Sequence, residues 1–136
     1  MTLTGLQHVL VLSDDIDATR DFYRDVVGLS IGARPPLAFP GYWLYADGVP
    51  CVHIAQRDAY VEHARGLGLS IADDAGGPGP IDHLAFAARD YEEVSERLRR
   101  GGVRAIANAV PGGPRQLFFD DPNGVRVEIN VERRTR

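Results

Sequence analysis

Lysine is missing: all fifteen basic residues of this 136-residue chain are arginines. That excludes Schiff-base chemistry on a lysine amine and a Walker-type phosphate loop. A single cysteine, Cys51, excludes an internal disulfide framework, so stability must come from packing, a metal or a second subunit. No apolar run approaches the roughly 20 residues that a membrane-spanning helix needs, and Met1-Thr2-Leu3-Thr4 lacks the basic-then-apolar pattern of a secretory leader. The expectation is a soluble, unexported, cytoplasmic protein. Basic surface is also scarce: the net charge of −4 argues against nucleic acid or an anionic membrane as the main partner. The one basic cluster, Arg133, Arg134 and Arg136, reads as a solvated chain end. What is present, 44% hydrophobic and 25% charged residues, is ordinary globular composition at a length suited to one domain, 1–136.

The chain repeats itself. Gly5-Leu6-Gln7-His8-Val9-Leu10-Val11-Leu12-Ser13-Asp14-Asp15 aligns with Pro80-Ile81-Asp82-His83-Leu84-Ala85-Phe86-Ala87-Ala88-Arg89-Asp90. Both are strand-like runs ending in a polar pair able to cap a helix. A helix over Ile16–Val27 follows the first, with Ile16, Thr19, Phe22, Tyr23 and Val26 at helical spacing and Gly28 as its stop. A helix over Tyr91–Arg100, ended by Gly101-Gly102, follows the second. Short strands at Leu29–Ala33 and Val103–Ala107 lead through proline-containing turns to the aromatic runs Tyr42–Tyr45 and Gln116–Phe119. Asp47-Gly48 and Asn123-Gly124 then reverse the chain into Pro50–Ala55 and Val125–Val131. Each module reads βαβββ, over about 5–56 and 80–132, with a linker over 57–79 whose first part, Ala59–Arg65, suits a short helix.

His8 and His83 are 75 residues apart, as are His53 and Glu128. Four groups able to bind a metal thus occupy two pairs of equivalent positions. Taken singly, His8 reads as a hydrogen-bonded structural residue, Glu128 as a solvated strand residue and His53 as unremarkable. Their registration in a duplicated module shifts the balance to a metal site, since independent structural histidines have no reason to match. Alternation puts His8 on one face with Leu6, Leu10 and Leu12, and Glu128 on one face with Arg126 and Asn130. His63 reads as a surface residue and Cys51 as a small packed side chain. No nucleophile-elbow pattern surrounds Ser13, Ser30, Ser70 or Ser95.

Four stretches together resemble a known family. They are Leu6-Gln7-His8-Val9, the helix end Asp21-Phe22-Tyr23-Arg24-Asp25-Val26-Val27-Gly28-Leu29, Ile81-Asp82-His83-Leu84-Ala85-Phe86, and Phe119-Asp120-Asp121-Pro122-Asn123-Gly124-Val125-Arg126-Val127-Glu128. From Leu6 to Val131 the chain resembles the vicinal oxygen chelate superfamily, which includes glyoxalases, bleomycin-resistance proteins and extradiol dioxygenases. The resemblance implies an α+β fold in which two tandem βαβββ modules form a partly closed, U-shaped mixed β-barrel flanked by helices. It implies a divalent metal held by His8, His53, His83 and Glu128. At position 53 glyoxalase I usually carries glutamate; ring-cleaving dioxygenases and fosfomycin-modifying enzymes match His8, His83 and Glu128 with no ligand there.

Three imidazoles and one carboxylate suit Zn, Fe, Ni, Co or Mn and leave adjacent positions for a small bidentate oxygenated substrate. Glu128 or His53 then serves as catalytic base. Tyr42, Trp43, Tyr45 and Phe118, with Phe39 and Phe119, are candidate walls of a substrate cavity, and Arg115 is a candidate partner of a substrate carboxylate with a surface role equally open. The implied activity is a metal-dependent, glyoxalase-like lyase or isomerase. An Fe(II) extradiol ring-cleavage dioxygenase and a non-catalytic antibiotic-binding resistance protein are the alternatives. The resemblance further implies a homodimer, with the site formed within one chain or across two.

Overall fold

A computed structural model describes residues 5–69, 81 and 83–132. The second half of the expected linker, including Ser70 and Asp73–Gly79, lies outside the described residues, as do Asp82 and the three terminal arginines. The elements run β1 (Val9–Ser13), α1 (Ile16–Phe22), β2 (Ser30–Gly32), β3 (Gly41–Ala46), β4 (Val49–Gln56), α2 (Arg57–Gly66), β5 (His83–Ala88), α3 (Tyr91–Arg100), β6 (Ile106–Ala109), β7 (Arg115–Asp120) and β8 (Arg126–Val131). They form two open four-stranded sheets, ordered β1-β4-β3-β2 and β5-β8-β7-β6. In each, the first strand runs parallel to the last and the other pairings are antiparallel. The α+β class and the doubled βαβββ order hold. The chain divides into two compact units: residues up to Arg24 with those from Leu29 through α2, and Asp25–Gly28 with β5 through β8.

The expected caps form. Asp15 accepts from the Ala18 amide at 3.0 Å and Asp90 from the Glu93 amide at 3.1 Å, satisfying helix-end donors that would otherwise lack partners. The first helix differs from expectation in its second half. After Phe22 it widens into a π-helical turn, Tyr23–Val27, closed by the Tyr23 carbonyl accepting from the Leu29 amide, and Gly28 ends it at φ +97°. β6 starts later than expected because Gly101, Gly102 and Val103 spend their amides on the carbonyls of Arg97, Arg99 and Leu98. Val103 is tied to the helix end, and pairing begins only at Ile106 opposite Phe118. α2 is a full ten-residue helix, longer at both ends than the expected piece.

Alternation sorts each strand into two faces. Val11, Leu44, Val52 and Ile54 bury one face of the first sheet, with α1 packed over β3 and β4. Leu117, Phe119, Val127, Ile129 and Val131 do the same in the second unit, where Leu98 of α3 is also buried. The two hairpins turn by different means. Asp47 and Gly48, at φ +48° and +77°, make a two-residue turn of the primed kind that matches strand twist. The β7–β8 loop is longer and is organised by buried Asp121, whose Oδ1 accepts from the amides of Asn123 at 2.7 Å and Val125 at 2.8 Å. Those bonds tie down the loop that enters β8, the strand that carries Glu128. Replacing Asp121 by alanine is expected to cost about 2–3 kcal/mol, since two charge-assisted bonds to part-buried amides are lost. Urea denaturation of the native and D121A proteins measures it.

Candidate functional site

In the first unit His53 stands on β4 between its neighbouring strands. Its ring stacks on His8 at 3.8 Å and 11° and on Trp43 at 4.0 Å and 10°. Because β4 lies between β1 and β3, the two neighbours cover opposite faces of the imidazole. His8 precedes the first paired residue of β1 by one position, on the same alternation as Leu10, which pairs with His53. Hydrogen bonds fix both tautomers. The Pro50 carbonyl can only accept, so His53 donates from Nε2 at 3.1 Å and keeps its lone pair on Nδ1. His8 donates from Nδ1 to the Gln7 side-chain oxygen at 2.9 Å, which leaves Nε2 as its free nitrogen.

The His53 imidazole is held below its ordinary value of 6.5. Burial is the largest cause, the adjacent His8 the next and Arg34 a further one, while the Pro50 carbonyl acts the other way. Arg34 itself is fixed by the Phe39 carbonyl, to which Nη2 donates at 2.6 Å, and its buried Nε has no hydrogen-bond partner among the described residues. The sequence reading passed over Arg34, which sits in a proline-rich turn with no periodicity to flag it.

In the second unit His83 opens β5 and Glu128 lies in the middle of β8. Their Nε2 and Oε1 are 3.9 Å apart, and Glu128 is only 9% exposed. Asn130 donates to Glu128 Oε2 at 2.8 Å. Gln116 donates to Asn130 Oδ1 at 3.0 Å and, more distantly, to Glu128 Oε1 at 3.5 Å, and Asn108 donates to Gln116 at 2.8 Å. The polar face expected around Glu128 is therefore a chain of amides, of which Gln116 and Asn108 went unrecognised in the sequence.

Two candidate substrate residues point elsewhere. Tyr42 pairs with Ile54 on the face covered by α1; its hydroxyl donates to Asp17 at 2.6 Å and accepts from Arg20 at 2.8 Å. Arg115 alternates with Leu117 and Phe119 and lays its guanidinium 3.3 Å from the centre of the Tyr91 ring, at the start of α3. Phe39 packs edge-on against Tyr60 of α2, and Phe119 is buried. Trp43 shares the face of His53, and Tyr45 alternates with it, its ring lying where a Cβ on Gly32 would collide. Phe118, opposite Glu128, is on the face of the carboxylate.

Among the described residues no group of three or more His, Cys, Asp and Glu side chains able to hold a metal forms; His8 lies against His53 in the first unit and His83 near Glu128 in the second. Metal bonds of about 2.0–2.2 Å set two ligands of one ion about 3 Å apart at a right angle and about 4.2 Å apart when opposed. The 3.9 Å of His83 and Glu128 falls in that span. Stacked His8 and His53 behave differently: ring lone pairs lie in the ring plane, so two parallel rings do not aim at one point. The free Nε2 of His8, its other nitrogen held by Gln7, has the arrangement usual for a metal-ligating imidazole.

The pattern shared by the glyoxalase/bleomycin resistance protein/dioxygenase superfamily matches residues 5–129. The chain belongs to this superfamily. Glyoxylase I 4 of Arabidopsis thaliana is 29% identical over 131 residues, spanning 93% of this chain and 70% of that protein. The ethylmalonyl-CoA/methylmalonyl-CoA epimerase of Cereibacter sphaeroides is 28% identical, spanning 91% and 95%. A mutant of the fosfomycin resistance protein FosX of Listeria monocytogenes, crystallised with Mn(II) and 1S,2S-dihydroxypropylphosphonic acid, shares the fold at a TM-score of 0.70 and 16% identity, covering 97% of this chain and 95% of that one.

For this member of the superfamily, the geometry at His53 has a direct consequence for titration. The folded chain releases the His53 proton more readily than the unfolded chain does. His53 therefore favours folding above pH 6.5, and that contribution is lost as pH falls through its lower folded value. Proton NMR of the metal-free protein should find His53 titrating below 6.5, and replacing Trp43 by alanine, which uncovers one ring face, should move it upward.

Proposed function

We propose that the protein is a metal-dependent lyase or isomerase that moves a proton on carbon next to a carbonyl of a small, bidentate oxygenated substrate. The observation that carries this reading is His53: its Nε2–H is committed to the Pro50 carbonyl, its Nδ1 is left as a fixed proton acceptor, and burial holds the imidazole below its ordinary value. Membership of the superfamily supports it, as do relatives named as a glyoxalase and an epimerase. His8, His83 and Glu128 are the proposed ligands, drawn from one chain or from the two chains of a homodimer. Two imidazoles and a carboxylate suit Zn, Fe, Ni, Co or Mn. When bound, such an ion acts as a Lewis acid toward negative charge on the substrate oxygens.

The remaining roles belong to the chain. His53 takes the proton through Nδ1 and returns it to the product, its tautomer held by a carbonyl that does not titrate. Trp43 keeps one face of that ring out of water, which holds the imidazole in its basic, uncharged form. Tyr45 and Phe118 supply apolar wall. Arg34, with one buried donor unspent, replaces Arg115 as the proposed holder of a substrate anion.

Metal analysis of protein purified without added metal, combined with turnover in D2O of a methylmalonyl thioester and of a 2-oxoaldehyde–thiol adduct, tests the reading. The expected result is bound divalent metal and oxygen-independent exchange of the carbon-bound proton. Alanine at His8, His83 or Glu128 should abolish both. His53→Gln should lower kcat about 10²–10⁴-fold, the range for a lost general base, with metal content unchanged. Bound iron with oxygen-dependent catechol cleavage would instead identify a dioxygenase, and ligand binding with no metal a sequestering protein.

A further inference from the structure

We propose that Asn130 and Gln116, backed by Asn108, are positioning residues that hold the Glu128 carboxylate in one orientation, with Oε2 engaged and Oε1 kept for a metal ion. This rests on the metal reading above and assigns a task to side chains that carry no ligand atom themselves.

The register builds the arrangement. Asn108 pairs with Gln116 and Gln116 with Asn130, so three amides lie abreast on β6, β7 and β8, on the face that carries Glu128. A carboxylate accepts hydrogen bonds and donates none, whereas an amide does both from opposite ends. Glu128 Oε2 therefore takes the NH2 of Asn130, at 2.8 Å. That turns the Asn130 oxygen toward Gln116, which must present its own NH2, at 3.0 Å. The Gln116 oxygen then faces outward and takes the NH2 of Asn108, at 2.8 Å. The negative charge thus sets the direction of three amides in sequence, and they in turn resist its rotation.

The two carboxylate oxygens are left unequal. Among the described residues Oε2 has a short bond to Asn130, while Oε1 has a long contact to Gln116 at 3.5 Å and lies 3.9 Å from Nε2 of His83. Fixing a carboxylate by amides in this way selects one oxygen as ligand without adding a competing charge. A ladder that served only to knit the sheet together would have no reason to favour one oxygen.

The test uses the full metal-free chain, titrated calorimetrically with Mn2+ and separately with Zn2+, for the native protein and for Asn130→Ala, Gln116→Ala and Asn108→Ala. Asn130→Ala is expected to weaken binding about 10–100-fold, the range for loss of a group that orients a ligand, Gln116→Ala by less and exposed Asn108→Ala least. Metal-free stability, read from thermal melts, should fall by clearly less than the binding free energy does, since Asn130→Ala also leaves the nearly buried Glu128 oxygen without its donor. Affinities equal to native in all three variants overturn the inference and leave the metal reading standing. A fall in affinity matched by an equal fall in metal-free stability assigns the ladder to the fold and overturns it too. Should the native chain bind neither ion, the metal reading fails and the inference with it.

Discussion

Parity along the strands is the constraint on which the rest depends. Val127 and Ile129 are buried on either side of Glu128, so a slip of β8 by one residue would drive a carboxylate into the apolar layer and bring two branched alkyl groups out. An unpaired charge there is costly enough to forbid the alternative. The same holds for β4, where Val52 and Ile54 flank His53 and are buried almost completely. Register is therefore fixed by hydrophobic burial on one face, and the donor groups gain their placement on the other as a consequence. Asp121 makes this secure in the second unit by tying the loop that enters β8.

The two units use one backbone plan to present two kinds of donor pair. In the first, two imidazoles lie face to face, completed by an indole on the far side, and burial with the adjacent His8 disfavours charge on His53. In the second, an imidazole faces a carboxylate, and the surrounding groups are amides. The strand positions are equivalent, but the electrostatic settings are not. This difference separates His53 from the other three groups and underlies its proposed role in proton transfer.

Much of this was legible in the sequence, and the reasons are local. The duplicated module, both helix caps and both hairpin turns are set by near neighbours, so a linear reading finds them. The equal spacing of the two donor pairs is likewise a property of the chain. Orientation was less well read. Tyr42, Trp43 and Tyr45 look like one aromatic wall, yet alternation sends Tyr42 to α1 and Trp43 to His53. Arg115 and Gln116 are adjacent for the same reason on opposite faces, and the arginine rests on Tyr91 while the glutamine joins the amide chain. Asn108 was out of reach because its place depends on where β6 begins. That is decided by amides at the end of α3, three residues beyond the point that strand propensity favours.

The groups that orient the donors share a chemical property. Gln7, Pro50, Gln116 and Asn130 act through amide or carbonyl groups, none of which titrates between the ordinary values of glutamate and imidazole. A carboxylate in place of the Pro50 carbonyl would also fix the ring, but it would add charge and raise the affinity of His53 for protons. With neutral partners, His8 and His53 are each held in a chosen tautomer and no charge is added beside either ring. A neutral imidazole is the form that ligates a metal or accepts a proton, and so the same choice of partners serves both uses of histidine proposed for this chain.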